Sequence, residues 1–145
     1  MKDIDRERDR AEIARLNDDF CHELDRGGVD AFVALFAIDA LYTHGARISR
    51  GHAQIREFYL NRARNGPRTS RHVTSGLRIR FESETRASGL SVCTTFSAPG
   101  TPPIESTIPA IVADFEDIYV LIDGRWRFQQ RNIIPLFRSP APAKP

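Results

Sequence analysis

The sequence predicts an α+β domain: three N-terminal helices closing a strongly curved, mostly antiparallel sheet into a cone around a pocket. Three observations carry that prediction. Apolar residues recur at helical three- and four-residue steps up to about residue 60, and change to period-two alternation after Pro67. An Asp123-Gly124 pair, the strongest short hairpin signal, divides the last two apolar runs. The order helices-then-strands favours helices packed on one face of an antiparallel sheet.

In chain order, Ile13, Leu16, Phe20 and Leu24 form one face of a first helix, while Arg10, Glu12, Arg15, Asp18 and Asp19 suit its wet side. Gly27-Gly28 stops it, through the left-handed conformation that helix ends favour. Asp30 is placed to cap a short second helix bearing Phe32, Leu35 and Phe36. A strand is expected around Ala40–His44, then a turn at Gly45. A third helix follows Gly51, carries Ile55, Phe58 and Tyr59, and closes before Pro67.

Four strands complete the chain. Leu77, Ile79 and Phe81 alternate with Arg78, Arg80 and Glu82 in the first. The second carries Leu90, Val92 and Phe96 and ends in the Pro- and Gly-rich loop 98–104. Residues 108–122 form the third, and 125–136 return as the fourth. Strict parity along the fourth sets Arg127, Gln129, Arg131 and Ile133 against Trp126, Phe128 and Ile134. A single domain over residues 1–137 and a flexible tail over 138–145 follow.

Composition narrows the function. The chain has 145 residues, 41% hydrophobic and 28% charged, which is ordinary for a globular domain. No apolar run is long enough for a membrane span, and the charged start MKDIDRERDR lacks the apolar stretch of a signal peptide; a cytoplasmic location is expected. A net charge of +2 with no stacking or helix-turn-helix motif argues against nucleic acid as a partner. The arginines at 62, 64, 68, 71, 78 and 80 read as a mixed charged face or a subunit contact. Cys21 and Cys93 form no metal-ligand spacing and no nucleophile motif, so buried thiols are expected, with no metal and no cofactor.

His72 is the first candidate for proton transfer, since imidazole accepts or donates a proton near neutral pH. Parity places it opposite Leu77, Ile79 and Phe81 unless a bulge at Gly76 reverses the strand. Asp25, one turn past Cys21 at an unfavourable helix end for a carboxylate, is a candidate to orient it. Tyr42 and His44 share a strand face and line the pocket if that face turns inward. Asp117 and Arg131 are expected either to pair across the hairpin or, for Arg131, to meet an anionic group of a ligand. Phe58 and Phe115 complete the expected binding residues.

Three phrases resemble one family: LDRGGVDAFVALFAIDALYTHG (24–45), RHVTSGLRI (71–79) and ADFEDIYVLIDGRWRFQQR (113–131). With the order of elements they resemble the SnoaL-like group of the nuclear transport factor 2-like superfamily, over residues 5 to 137. The resemblance implies a small-molecule pocket, and the superfamily holds dehydratases, isomerases, epoxide hydrolases, cyclases, non-catalytic subunits and binding proteins. Asp25 and His72 match an aspartate and a histidine of the related scytalone dehydratases, and Asp117 matches the family aspartate. Leu24 stands where those enzymes place a catalytic tyrosine, His44 falls near a second tyrosine position, and Phe96 stands near a missing second histidine. Ala113 and Phe115 replace a common Gly and Tyr. The expectation is a cofactor-free lyase or isomerase acting by general acid-base catalysis on a small cyclic or hydroxylated substrate, with His72, Asp25 and His44 catalytic. The alternatives are a non-catalytic ligand-binding protein and a structural small subunit of a ring-hydroxylating dioxygenase. A homodimer or higher homo-oligomer is expected, because an antiparallel sheet leaves one face uncovered.

Overall fold

The computed structural model describes residues 3–105 and 108–140. Its elements run α1 (Asp3–Arg26), α2 (Val29–Val33), β1 (Phe36–His44), β2 (Arg47–Arg50), α3 (Gly51–Asn61), β3 (Arg68–Phe81), β4 (Arg86–Pro99), β5 (Ile111–Ile122) and β6 (Arg125–Arg138). The strands form one six-stranded sheet in the order β2-β1-β6-β5-β4-β3. β3 to β6 are an antiparallel meander, and β1 joins β6 in parallel. The α+β architecture is as the sequence predicts; β2 is an addition, a four-residue strand hairpinned to β1 through the turn at Gly45.

Helix ends depart from expectation in two places. Neither Gly27 nor Gly28 is left-handed; Gly28 is extended at φ −120° and caps α2, while Asp30 lies inside that helix and accepts from Arg56. Glycine at 27 answers a close approach instead, because a Cβ there would run into the Glu23 side chain, which accepts the Gly28 N–H. Phe36 and the residues after it leave the helix and start β1. At the other terminus β6 continues to Arg138, paired with Ile111, and the Ser139 N–H bonds the Ala110 carbonyl. The remainder of the expected tail, 141–145, lies outside the described residues.

Bulges decide which side chains face the helices. At Gly76, with φ +69°, β3 slips against β4 between Ser75 and Arg78. The extra residue reverses parity, so His72 and Thr74 share the inner face with Leu77, Ile79 and Phe81. β6 slips against β5 at Gln129, because Tyr119 pairs with Phe128 but Ile118 with Gln130. Trp126 and Phe128 therefore share the inner face with Arg131 and Ile133, which corrects the strict parity expected for this strand. Such insertions bend and twist the sheet, wrapping it around α1 and the other helices. Asp123 and Gly124 both take positive φ, at 50° and 76°, closing β5 and β6 as a tight hairpin.

The core lies between the concave sheet face and the helices. Phe20 of α1 is its hub, with Phe32, Phe36, Tyr42, Phe115 and Phe128 around it at ring separations of 5.4 to 6.3 Å. Burying each such ring contributes about 1.5–3 kcal/mol. Cys21 and Cys93 are both buried and free, and burial pushes the Cys21 thiol up to about 12, so they remain protonated packing groups. No helix among the described residues is long and apolar enough to cross a membrane.

Candidate functional site

A cavity of about 190 Å³ lies between the concave sheet face and the helices. Its floor is apolar: Phe20 and Leu24 from α1, Phe58 from α3, Phe115 from β5 and Ile133 from β6. Its polar wall carries Tyr42 and His44 from β1, His72 from β3, and Thr95 and Ser97 from β4. Arg62 and Arg68, which flank the turn between α3 and β3, complete it.

His72 is the organised group in that wall. Its Nδ1 lies 2.6 Å from Asp25 Oδ1, and its backbone N–H donates to Asp25 Oδ2 at 2.8 Å. Ser70 Oγ donates to Asp25 Oδ1 at 2.8 Å. The side chains of His72 and Asp25 are only 10% and 4% exposed. Burial works to raise the Asp25 pKa, but the His72 and Ser70 hydrogen bonds outweigh it and hold the carboxyl below the usual carboxylate range. An ionised carboxylate can only accept, so the facing Nδ1 carries the proton that joins the two, and Nε2 is the nitrogen left without this partner. The bulge at Gly76 turns His72 inward, and the last turn of α1 delivers Asp25 behind it.

Tyr42 and His44 sit on the inward face of β1. Tyr42 is buried, 5.1 Å from the Phe58 ring centroid, with the Arg47 guanidinium 4.8 Å over its face; burial raises its pKa. His44 is half-buried, and burial together with Arg47, Arg138 and His72 lowers its pKa, leaving it neutral at pH 7.

Asp117 and Arg131 take the pairing branch of the sequence expectation and do not line the cavity. Arg131 is fully buried and grips Asp117 with two hydrogen bonds, Nε–Oδ1 at 2.8 Å and Nη2–Oδ2 at 2.7 Å. Its Nη2 also donates to Asn17 Oδ1, and Tyr119 donates to Asp117 Oδ2 at 2.7 Å. The guanidinium carbon lies 4.2 to 4.4 Å from the ring centroids of Phe128, Phe115 and Phe20. The pair thus sits one aromatic layer beneath the cavity floor, and pairing with Asp117 raises the Arg131 pKa against the opposing effect of burial.

Several positions in and beneath the cavity are not singled out by the sequence. Arg62 and Arg68 read as a charged surface in the sequence, yet they line the cavity. Phe96 is on the outer face, and its neighbours Thr95 and Ser97 point inward. Ser70 had a legible signal, two residues before His72 on the same strand face. Asn17 had another: a polar residue inside the apolar stripe of α1, four residues after Ile13. Among the described residues no three His, Cys, Asp or Glu side chains converge as metal ligands.

The SnoaL-like domain profile matches residues 5–132. The chain belongs to the SnoaL-like family. Comparison with curated proteins finds no match. Among solved structures this SnoaL-like chain is similar to LinA, at 23% identity and a TM-score of 0.81 over 100% of both chains. It is also similar to the hexachlorocyclohexane dehydrochlorinase LinA-type3 from Novosphingobium barchaimii, at 20% identity and TM-score 0.79, covering 99% of this chain and 97% of the other. A candidate scytalone dehydratase from Novosphingobium aromaticivorans matches at 21% identity and TM-score 0.79, over 94% and 89%. These likenesses establish a shared fold.

Proposed function

We propose that this SnoaL-like protein is a cofactor-free lyase that removes H and a leaving group from adjacent carbons of a small cyclic substrate. The observation that carries the reading is the 2.6 Å contact between His72 Nδ1 and Asp25 at the wall of an apolar-floored cavity. Asp25 fixes the tautomer and stabilises the imidazolium that forms, the base-plus-orienter logic of general-base catalysis. His72 Nε2 takes the proton from carbon, the C–H pair becomes the new π bond, and the leaving group departs with its bonding pair. His44, neutral and on the same wall, is placed to donate a hydrogen bond to the departing group. The dehydrochlorinase and scytalone dehydratase named above support elimination over isomerisation. Assaying wild type and His72→Gln on a panel of chlorinated and hydroxylated cyclohexanes, by halide release or alkene absorbance, tests this. Loss of about 10²–10⁴ in rate is expected for the variant; unchanged turnover removes His72 from the mechanism. Ligand-dependent thermal stabilisation without consumption marks a binding protein instead.

We also propose that a second copy covers the outer sheet face. Its cross-strand rows run Arg78, Leu90, Glu116 and Ser75, Val92, Asp114 across β3, β4 and β5. In the first row basic, apolar and acidic residues lie side by side, and Leu90 and Val73 are 53% and 56% exposed. A two-fold axis along β4 sets Leu90 on Leu90 of the second copy and Arg78 against Glu116 of the second copy. An axis across the strands sets the basic edge against itself, so charge selects the first arrangement.

A further inference from the structure

The cavity wall has an uneven charge distribution that the acid-base reading does not use. A second cavity of about 200 Å³ adjoins the first on its solvent side, and the two share Leu24, Arg62 and Arg68. The two guanidinium groups therefore stand at the passage from solvent to the apolar floor. Across both walls the one carboxylate is Asp25, and its oxygens are occupied by His72 and Ser70. Among the described residues neither arginine has a carboxylate within ion-pair distance. Arg62 Nη2 donates to Ser70 Oγ at 3.4 Å, a long contact, and Arg68 Nε donates to Ser97 Oγ at 2.7 Å. Arg62 is half-buried, and burial lowers its pKa although Tyr42 and Asp25 act the other way. Arg47 and Arg138 add positive charge beside His44. Among the described residues this side of the cavity thus carries an excess of positive charge, half-buried at Arg62 and exposed at Arg68, with Asp25 its one carboxylate and that one already engaged, beside a floor built from Phe20, Phe58 and Phe115.

We propose that the natural ligand of this cavity is a small cyclic carboxylic acid, its ring on that aromatic floor and its carboxylate paired with Arg62 and Arg68. Guanidinium matches carboxylate in planar, charge-assisted hydrogen bonds, and such pairs strengthen where water is excluded. The ring then lies beside His72. The inference rests on the cavity being the active site but names what the acid-base chemistry alone leaves open.

Isothermal titration with cyclohexanecarboxylate and its uncharged isostere cyclohexanecarboxamide tests it. The carboxylate should bind at least about tenfold more tightly than the amide, and added salt should weaken it selectively. Arg62→Met and Arg68→Met should each cost the carboxylate about tenfold while leaving the amide unchanged; circular dichroism and the thermal midpoint check that both variants fold. Equal or tighter amide binding, failure of both probes to bind at millimolar concentration, or an Arg62→Met/Arg68→Met double variant with wild-type carboxylate affinity overturns the proposal. His72→Gln separates the two readings. If it keeps the carboxylate preference and wild type turns nothing over, the anion site stands and the lyase falls. If His72 is needed for turnover but charge makes no difference to binding, the lyase stands and the anion site falls.

Discussion

Asp25→Asn is the sharpest perturbation of the candidate site, because it changes charge and donor pattern at almost constant volume. The carboxylate accepts three hydrogen bonds, from His72 Nδ1, the His72 backbone N–H and Ser70 Oγ. An amide offers one acceptor oxygen and two donors. If its oxygen faces Nδ1 and Ser70, its NH₂ meets the backbone N–H, donor against donor. If its oxygen faces the backbone, its NH₂ donates to Nδ1, forcing the proton onto Nε2 and removing the base. Either way a buried donor loses its partner, at about 1–3 kcal/mol. With an m-value of about 1–3 kcal/mol/M, the urea midpoint should fall by roughly 1 M. The second arrangement keeps more of the buried contacts, so ¹⁵N NMR of the imidazole should show the proton moved from Nδ1 to Nε2. Turnover should drop by about 10²–10⁴, the usual contribution of a positioned base. An Asp25→Asn protein with the wild-type tautomer, midpoint and rate would refute the idea that Asp25 sets up His72.

Three further outcomes follow from the same geometry. Arg131→Met leaves Asp117 buried without its cation and should destabilise by about 3–5 kcal/mol in urea melts, whereas Arg131→Met with Asp117→Leu should recover much of the loss; additive single costs would contradict a coupled pair. His44 has a folded pKa below its ordinary 6.5, so the unfolded chain binds more protons and stability falls as pH drops below about 6.5. His44→Asn should flatten the urea midpoint between about pH 5 and 7, and Asp25, depressed below its ordinary 3.8, adds a further loss as pH falls through its lower folded value. For the outer sheet face, analytical ultracentrifugation should show wild type as a dimer, Arg78→Glu and Glu116→Arg each as monomers, and the double reversal as a dimer again. A monomeric wild type, or single reversals that still dimerise, contradicts the proposed packing.

Much of the fold is legible in local chemistry. The stripe Ile13, Leu16, Phe20, Leu24 specifies α1 because four apolar residues on one face have no other way to leave water. Asp123-Gly124 specifies the β5–β6 hairpin because few other pairs tolerate positive φ twice. The exposed Lys-poor, Arg-rich sequence around β3 was less informative, since a guanidinium on a surface and one at a cavity mouth look alike without their surroundings.

The sequence by itself determined the class of the domain, the order of its helices and of every strand but β2, and His72 with Asp25 as the residues to watch; for Asp117 and Arg131 it left pairing and ligand binding both open. Only the tertiary structure decided where those side chains point. One extra residue at Gly76 turns His72 toward Asp25, one at Gln129 turns Arg131 into the core beneath the floor, and the turn after α3 brings Arg62 and Arg68 to the cavity mouth. A bulge costs little locally and reverses every side chain beyond it, so its presence is settled by which pairing buries the most apolar surface, a property of strands and helices together that neighbouring residues in the chain do not record.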